Sequence, residues 1–198
     1  SSTLQTVTDI TTKLTGAAFG AFFYNKVNNE GESYLLYTLS GAPREAFSRF
    51  GMPRNTEVFH PTFSGQGVVR SDDITKDPRY GKMAPHFGMP KRHLPVVSYL
   101  AVPVVSQTGT VIGGLFFGHP DPGVFKAEHE ALVVNVASQA ALALDNAKLF
   151  EDVTALSRKK DEFIALASHE LKTPLTSMSG FLQLLQKSEQ GNRSRQFV

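Results

Sequence analysis

The chain has 198 residues, 41% of them hydrophobic, and 20 Lys+Arg against 18 Asp+Glu leave a formal net charge of +2. This describes a globular protein of one full domain with an appendage, or of two small domains. A charge so near zero argues for no nucleic-acid or membrane-surface partner, and the lack of cysteine excludes disulfides, thiolate nucleophiles, Cys-ligated zinc and a thioether-linked chromophore.

In chain order, Leu4, Val7, Ile10 and Leu14 recur at helical spacing and predict a short amphipathic helix. Phe19–Tyr24 and Tyr34–Leu39 are aromatic-rich runs separated by Asn28-Asn29-Glu30-Gly31, the pattern of two strands and a hairpin turn. From Gly41 to Tyr80 the chain is rich in Pro, Gly and charge, with short periodic pieces such as Arg44–Phe50. Gly65-Gln66-Gly67 reads as a turn before a strand at Val68, and Asp77-Pro78 as a turn or helix start. Two strands follow, Ser98–Val105 and Val111–Gly118, joined by Gln107-Thr108-Gly109-Thr110. Consecutive strands linked by tight turns predict an antiparallel sheet in an α+β domain.

Beyond Phe125 the texture changes, with neither Gly nor Pro from Lys126 to Thr173. The apolar stretch Ala131–Leu144 is interrupted by Asn135, Ser138 and Gln139 and closed by Asp145, so it falls short of the roughly 20 apolar residues that cross a bilayer and reads as a buried helix face. Leu142, Asn146, Leu149, Val153, Leu156, Lys160, Phe163 and Ala167 follow alternating spacings of four and three. That is a heptad seam, and a parallel homodimeric coiled coil is its expected use, with Asn146 and Lys160 as polar seam positions that set register. Ser1-Ser2-Thr3 carries no signal pattern. With the abrupt end at Val198, the chain reads as a piece of a longer, cytoplasmic protein.

Of the six histidines, His129 and His169 are each followed by Glu, but the position four residues on is Val133 or Thr173. Two imidazoles on one helix face are required for a zincin, so no metal site is expected. The phosphate loop, the dinucleotide fingerprint and the nucleophile elbow are absent, so the chain has no ATP site of its own. The informative string is Phe163-Ile-Ala-Leu-Ala-Ser-His169-Glu170-Leu171-Lys172-Thr173-Pro174-Leu175. His169 points away from the seam, Thr173 lies one turn on along the same face, and Pro174 cannot donate to the Glu170 carbonyl, so a weakened or bent helix is expected there. Imidazole, with an ordinary pKa of about 6.5, is a competent nucleophile near neutral pH.

This string resembles the phosphoacceptor box of sensor histidine kinases. The resemblance implies that His169 takes the γ-phosphoryl of ATP, supplied with Mg2+ by a kinase domain, and passes it to an aspartate of a response regulator. It implies that Glu170 assists proton transfer from His169, and that Thr173 positions water for dephosphorylating the regulator. Only the first helix of the dimerisation hairpin is expected, with Phe181–Leu185 still helical, so the chain alone is at most a substrate.

Residues 1 to about 150 resemble a GAF domain, through Val69-Arg70-Ser71-Asp72-Asp73-Ile74, Asp77-Pro78-Arg79-Tyr80-Gly81, Ser98-Tyr-Leu-Ala-Val-Pro103-Val and Val111-Ile-Gly-Gly-Leu-Phe-Phe117. The expected organisation is a GAF sensory domain over 1–150, a signalling helix over 151–162 and the phosphoacceptor helix over 163–198. The fold class is α+β, an antiparallel sheet with flanking helices followed by a long dimerisation helix. The resemblance places a small-molecule pocket in the loop-rich middle, with Phe59, Phe63 and Phe87 among its aromatics and Asp72, Arg79, Tyr80, His86 and His93 as candidate ligand contacts; packing of the domain by those aromatics is the alternative use. Two other functional classes fit the same residues: a non-enzymatic ligand-binding or dimerisation module with an inert histidine box, and a bilin-type photoreceptor.

Overall fold

The runs Ser98–Val105 and Val111–Gly118 are apolar on nearly every residue rather than on alternate ones, and the tertiary structure gives the reason. The computed structural model describes residues 3–28, 31–43, 56–82, 88 and 94–195. The chain divides into two units, Ser1–Asn146 and Ala147–Val198. The first contains α1 (Thr3–Leu14), β1 (Phe19–Asn28), β2 (Gly31–Ser40), the single-turn α2 (His60–Phe63), β3 (Val69–Ser71), a 3-10 turn at Ile74–Lys76, β4 (Ser98–Val105) and β5 (Val111–His119). The last helix, α3, covers Ala127–Arg195.

The five strands form one sheet in the order β2-β1-β5-β4-β3, and every pairing is antiparallel. The hairpin strands reach further than their sequence runs suggest, pairing out to Asn28 opposite Gly31. Successive strand residues face opposite sides, and both sides are covered. On one, Phe22, Leu100, Val102, Val104, Leu115 and Phe117 pack with Val133, Ala137, Ala140 and Ala141 of α3. On the other, Phe23, Val69, Tyr99, Ala101 and Phe116 pack with Phe63 of α2 and Ile74 of the 3-10 turn. In β4 and β5, which are covered on both faces, this leaves little room for polar residues and accounts for the apolar runs Tyr99–Val105 and Val111–Phe117.

The first helix packs on a different face from the one its apolar spacing predicts. Leu4, Thr8, Thr11 and Thr12 are buried, whereas Ile10 and Leu14 are 53% and 59% exposed. Each buried threonine donates its hydroxyl to the carbonyl four residues back, as Thr8 does to Leu4 at 2.8 Å and Thr12 to Thr8 at 2.7 Å. Thr8 Oγ1 also meets Thr38 Oγ1 of β2 at 2.7 Å. With its hydroxyl satisfied locally, a threonine presents its methyl group to the sheet and is no worse buried than a small aliphatic residue. The close approach is made possible by Gly20 of β1, where a Cβ would strike Thr12 and the Phe117 ring.

The third helix begins after a tied-down connection. Gly123, at φ 68°, donates to the Asp72 carbonyl at 3.0 Å. Ser98 Oγ donates to the Asp121 carbonyl at 2.6 Å and accepts from the Val124 amide at 3.0 Å. Glu128 and Glu130 in the first turn suit the positive end of the helix dipole. The helix continues through Pro174, although the Glu170 carbonyl has no N–H at position 174 to accept from.

Candidate functional site

Within the second unit, one face of α3 carries His169, Lys172, Thr173, Thr176 and Ser177, which line a groove of about 450 Å³. These positions repeat at three- and four-residue intervals and so stack on one side of the helix. The Thr176 hydroxyl donates to the Lys172 carbonyl at 2.7 Å, and the Ser177 hydroxyl to the Thr173 carbonyl at 3.2 Å. His169 and Glu170 have side-chain exposures of 80% and 73%, with Nδ1 and Oε1 3.7 Å apart. That is within ion-pair range and beyond hydrogen-bond range. The geometry therefore presents an accessible imidazole with a carboxylate neighbour, a cationic Lys172 and the Thr173 hydroxyl along the same groove. An open imidazole beside a cation is chemically suited to receive a phosphoryl group.

Within the first unit, a cavity of about 310 Å³ is lined by Pro61, the segment 66–70 and Arg79. Arg79 is the member of the expected ligand set on this wall. It is held by Asp77, whose Oδ1 accepts from Arg79 Nε at 2.9 Å and whose Oδ2 accepts from Nη2 at 2.7 Å. The Asp77 carboxylate also accepts from the Arg79 backbone amide at 2.9 Å, which makes the expected turn at Asp77-Pro78 a rigid mount for the guanidinium. These hydrogen bonds from Arg79 hold the Asp77 carboxyl below the usual carboxylate range and raise the Arg79 guanidinium in turn.

Of the other expected contacts, the described Asp72 and Tyr80 are not among the residues lining that cavity. Asp72 contributes its backbone carbonyl to the β5–α3 connection, and Tyr80 packs against the second core cluster. His86, His93 and Phe87 lie outside the described residues. Phe59 and Phe63 pack edge-on or tilted against Phe116, with ring centroids 5.3 and 5.2 Å away. These two aromatics pack on the sheet face with the second core cluster. Sequence reasoning passed over Arg70, whose Nε donates to Glu130 Oε2 at 2.7 Å. No local signal marks that partnership, because the residues are 60 positions apart.

Comparison with known proteins decides the family. Residues 1–145 match the model of the GAF domain. The chain belongs to the GAF family. Behind this GAF domain, residues 159–198 match the His Kinase A (phospho-acceptor) domain, which includes His169 and the whole of its groove. A curated relative, hybrid signal transduction histidine kinase G of Dictyostelium discoideum, is 29% identical over 133 residues. That match covers 60% of this chain and 4% of the relative, so the chain spans a small part of that protein's length. The GAF domain of a phosphoenolpyruvate-protein phosphotransferase from Coxiella burnetii is similar at TM-score 0.59 and 18% identity, covering 75% of this chain and 84% of that one. GAF3 of Slr1393 from Synechocystis, in its photoproduct state, is similar at TM-score 0.59 and 17% identity, over 75% and 94% of the two chains. At such identities these two structures establish the GAF fold and nothing further. No helix among the described residues is long and apolar enough to cross a membrane.

Proposed function

We propose that the chain is the sensory and phosphoacceptor part of a two-component sensor histidine kinase. His169 would accept the γ-phosphoryl of ATP and pass it to a response-regulator aspartate. The observation that carries this reading is the exposed His169 on a helical groove with Glu170, Lys172 and Thr173 around it, inside the segment that matches the phospho-acceptor domain. ATP and Mg2+ would be supplied by a kinase domain, for none of the described residues form a phosphate loop. In the chemistry, the imidazole nitrogen attacks the γ-phosphorus, the bond to the bridging oxygen of ADP breaks, and the imidazole proton is lost to base, which is the role assigned to Glu170. Thr173, one turn along, is assigned the positioning of water when the regulator is dephosphorylated.

Two further parts complete the proposal. The exposed apolar side chains Leu149, Val153, Leu156 and Phe163 sit on the heptad seam and pair with a second copy of the chain. The GAF domain receives a small-molecule signal, with Arg79 as the contact that supports a ligand site.

The test is phosphoryl incorporation from radiolabelled ATP into the full-length natural protein, wild type beside His169→Ala. An acid-labile, base-stable label that disappears in the variant supports the reading. Label absent from both proteins, each shown to be folded and dimeric, overturns it in favour of a binding module with an inert histidine box.

A further inference from the structure

We infer that the surface along which two copies of α3 pair steps sideways by one residue at the histidine box, and that the winding of this step sets the flank on which His169 is presented. This rests on the reading that the chain pairs with a second copy along α3, and names how that pairing governs the phosphoacceptor.

The second unit carries two ladders of large apolar side chains. The first is Leu149, Val153, Leu156 and Phe163, 61–70% exposed, with Lys160 as its polar member at heptad spacing. The second is Ile164, Leu171, Leu175, Met178 and Leu182, 52–62% exposed, and it too follows heptad spacing. The two are out of phase by one residue. Heptad continuation of Phe163 and Ala167 falls at 170, 174 and 177, whereas the apolar residues stand at 171, 175 and 178.

Neither ladder can run the whole length. Continuing the first would set Glu170, Pro174 and Ser177 against the partner, and continuing the second backward would set Asp161, Ser157 and Thr154 there. Successive polar residues at core positions of a coiled coil cost stability. An apolar interface is kept only by crossing from one ladder to the other. The occupant of both is the second copy, because the ladders lie on one unbroken helix. A copy wound along the first passes beside the second one residue further round.

The crossing runs through Lys160, Phe163, Ala167, Leu171 and Leu175, an average of about 3.75 residues per turn against 3.5 in a heptad and 3.6 in a straight helix. A repeat above 3.6 winds right-handed, so the left-handed supercoil of the first ladder relaxes here. The backbone is suited to that change. Pro174 leaves the Glu170 carbonyl without its helical donor. The Thr176 and Ser177 hydroxyls bond back to the Lys172 and Thr173 carbonyls, a pattern that favours helix bending.

His169 lies inside the crossing. In the first ladder's phase it stands two positions past Ala167. In the second ladder's phase it stands one position past Ser168, the place due before Leu171. These are the two outward flanks of a heptad helix, on opposite sides of the interface. One residue is a rotation of about 100°, so over- or underwinding of the helix ahead of the box carries the imidazole from one flank toward the other.

The chain has no cysteine, so single introduced cysteines map the pairing surface by the rate of disulfide-linked dimer formation under mild oxidant. Leu149→Cys and Val153→Cys should crosslink faster than Phe150→Cys and Thr154→Cys. Beyond the crossing, Leu171→Cys and Met178→Cys should crosslink at least about fivefold faster than Glu170→Cys and Ser177→Cys, since the bond closes only when Cβ atoms approach within about 4.5 Å. Equal rates, or faster reaction at 170 and 177, would overturn the step. Crosslinking at 149 and 153 with none at the four later positions would also overturn it, leaving the pairing intact and another helix on the second ladder. Crosslinking nowhere would overturn the pairing and the step together, whereas the His169 labelling result concerns phosphoryl transfer alone. Deletion of Lys159 brings the ladders into one phase, and deletion of residues 154–160 removes a whole heptad and keeps the step. Amide exchange over residues 163–175 should slow in the first variant and stay at the wild-type rate in the second; equal rates in both would overturn the proposal. If a deletion fails to fold, the cysteine map still decides.

Discussion

Two stretches of α3 have similar apolar content and opposite surroundings. Val133, Ala137, Ala140 and Ala141 are at most 5% exposed, buried against the sheet of their own domain. Leu149, Phe150, Val153, Leu156 and Phe163 are 61–75% exposed in the single chain. The buried stretch has small residues where the helix must approach strands closely. The exposed stretch has large ones at heptad spacing, the requirement of a partner helix that inserts knobs into holes. Side-chain size along the helix thus separates the stretch buried in its own domain from the stretch that the proposed dimer would cover.

The comparison is most sharply tested at the far end of the helix. His169→Ala should remove phosphoryl label from the full-length natural protein entirely, while circular dichroism and the thermal midpoint stay unchanged, since the side chain is largely exposed. Next in size, Phe117→Ala in the sheet core should cost about 3–5 kcal/mol in urea unfolding and leave oligomeric state alone. The seam should respond in the opposite way. Replacing Leu149, Val153 and Leu156 together with serine should give a monomer by sedimentation velocity, with the unfolding midpoint of the sheet domain preserved. If the triple variant stays dimeric, the assignment of the two faces fails.

Two smaller effects refine the picture inside the GAF domain. Tyr99 is buried, its hydroxyl has no hydrogen-bond partner among the described residues, and burial pushes its phenol well above the ordinary value. Tyr99→Phe should therefore stabilise the domain by about 1 kcal/mol, the lower end of the cost of an unsatisfied buried polar group. Asp77 is held below the usual carboxylate range by Arg79. Its stabilisation is present above the unfolded value near pH 4 and is lost as pH falls through the lower folded value. Asp77→Asn should flatten that part of the acid limb of the stability curve and leave the curve's shape near neutral pH unchanged.

Much of this architecture is legible from local pattern. The strands at Ser98 and Val111 and the tight turn between them follow from β-rich runs bounded by Gln107-Thr108-Gly109-Thr110, and the structure pairs them Ser98 with His119 and onward. The histidine box is legible because it is one continuous string. The face of α1 is not legible, since a hydropathy pattern ranks threonine below Ile10 and Leu14. Threonine is buried here because its hydroxyl bonds to its own helix. The expected ligand set was legible only as residue types, and of the described members Arg79 alone reaches the cavity wall.

By itself the sequence determined the first helix, the main strands and their antiparallel pairing, the long last helix and the string around His169. All of these depend on residues within a turn or a hairpin of one another, where spacing alone sets which side chains share a face. Only the tertiary structure decided which faces are buried, that Phe59 and Phe63 fill the core, and that Arg70 on an edge strand grips the start of α3. Those depend on side chains tens of positions apart that meet because the sheet and its covering helices close over each other, and no local periodicity encodes that meeting.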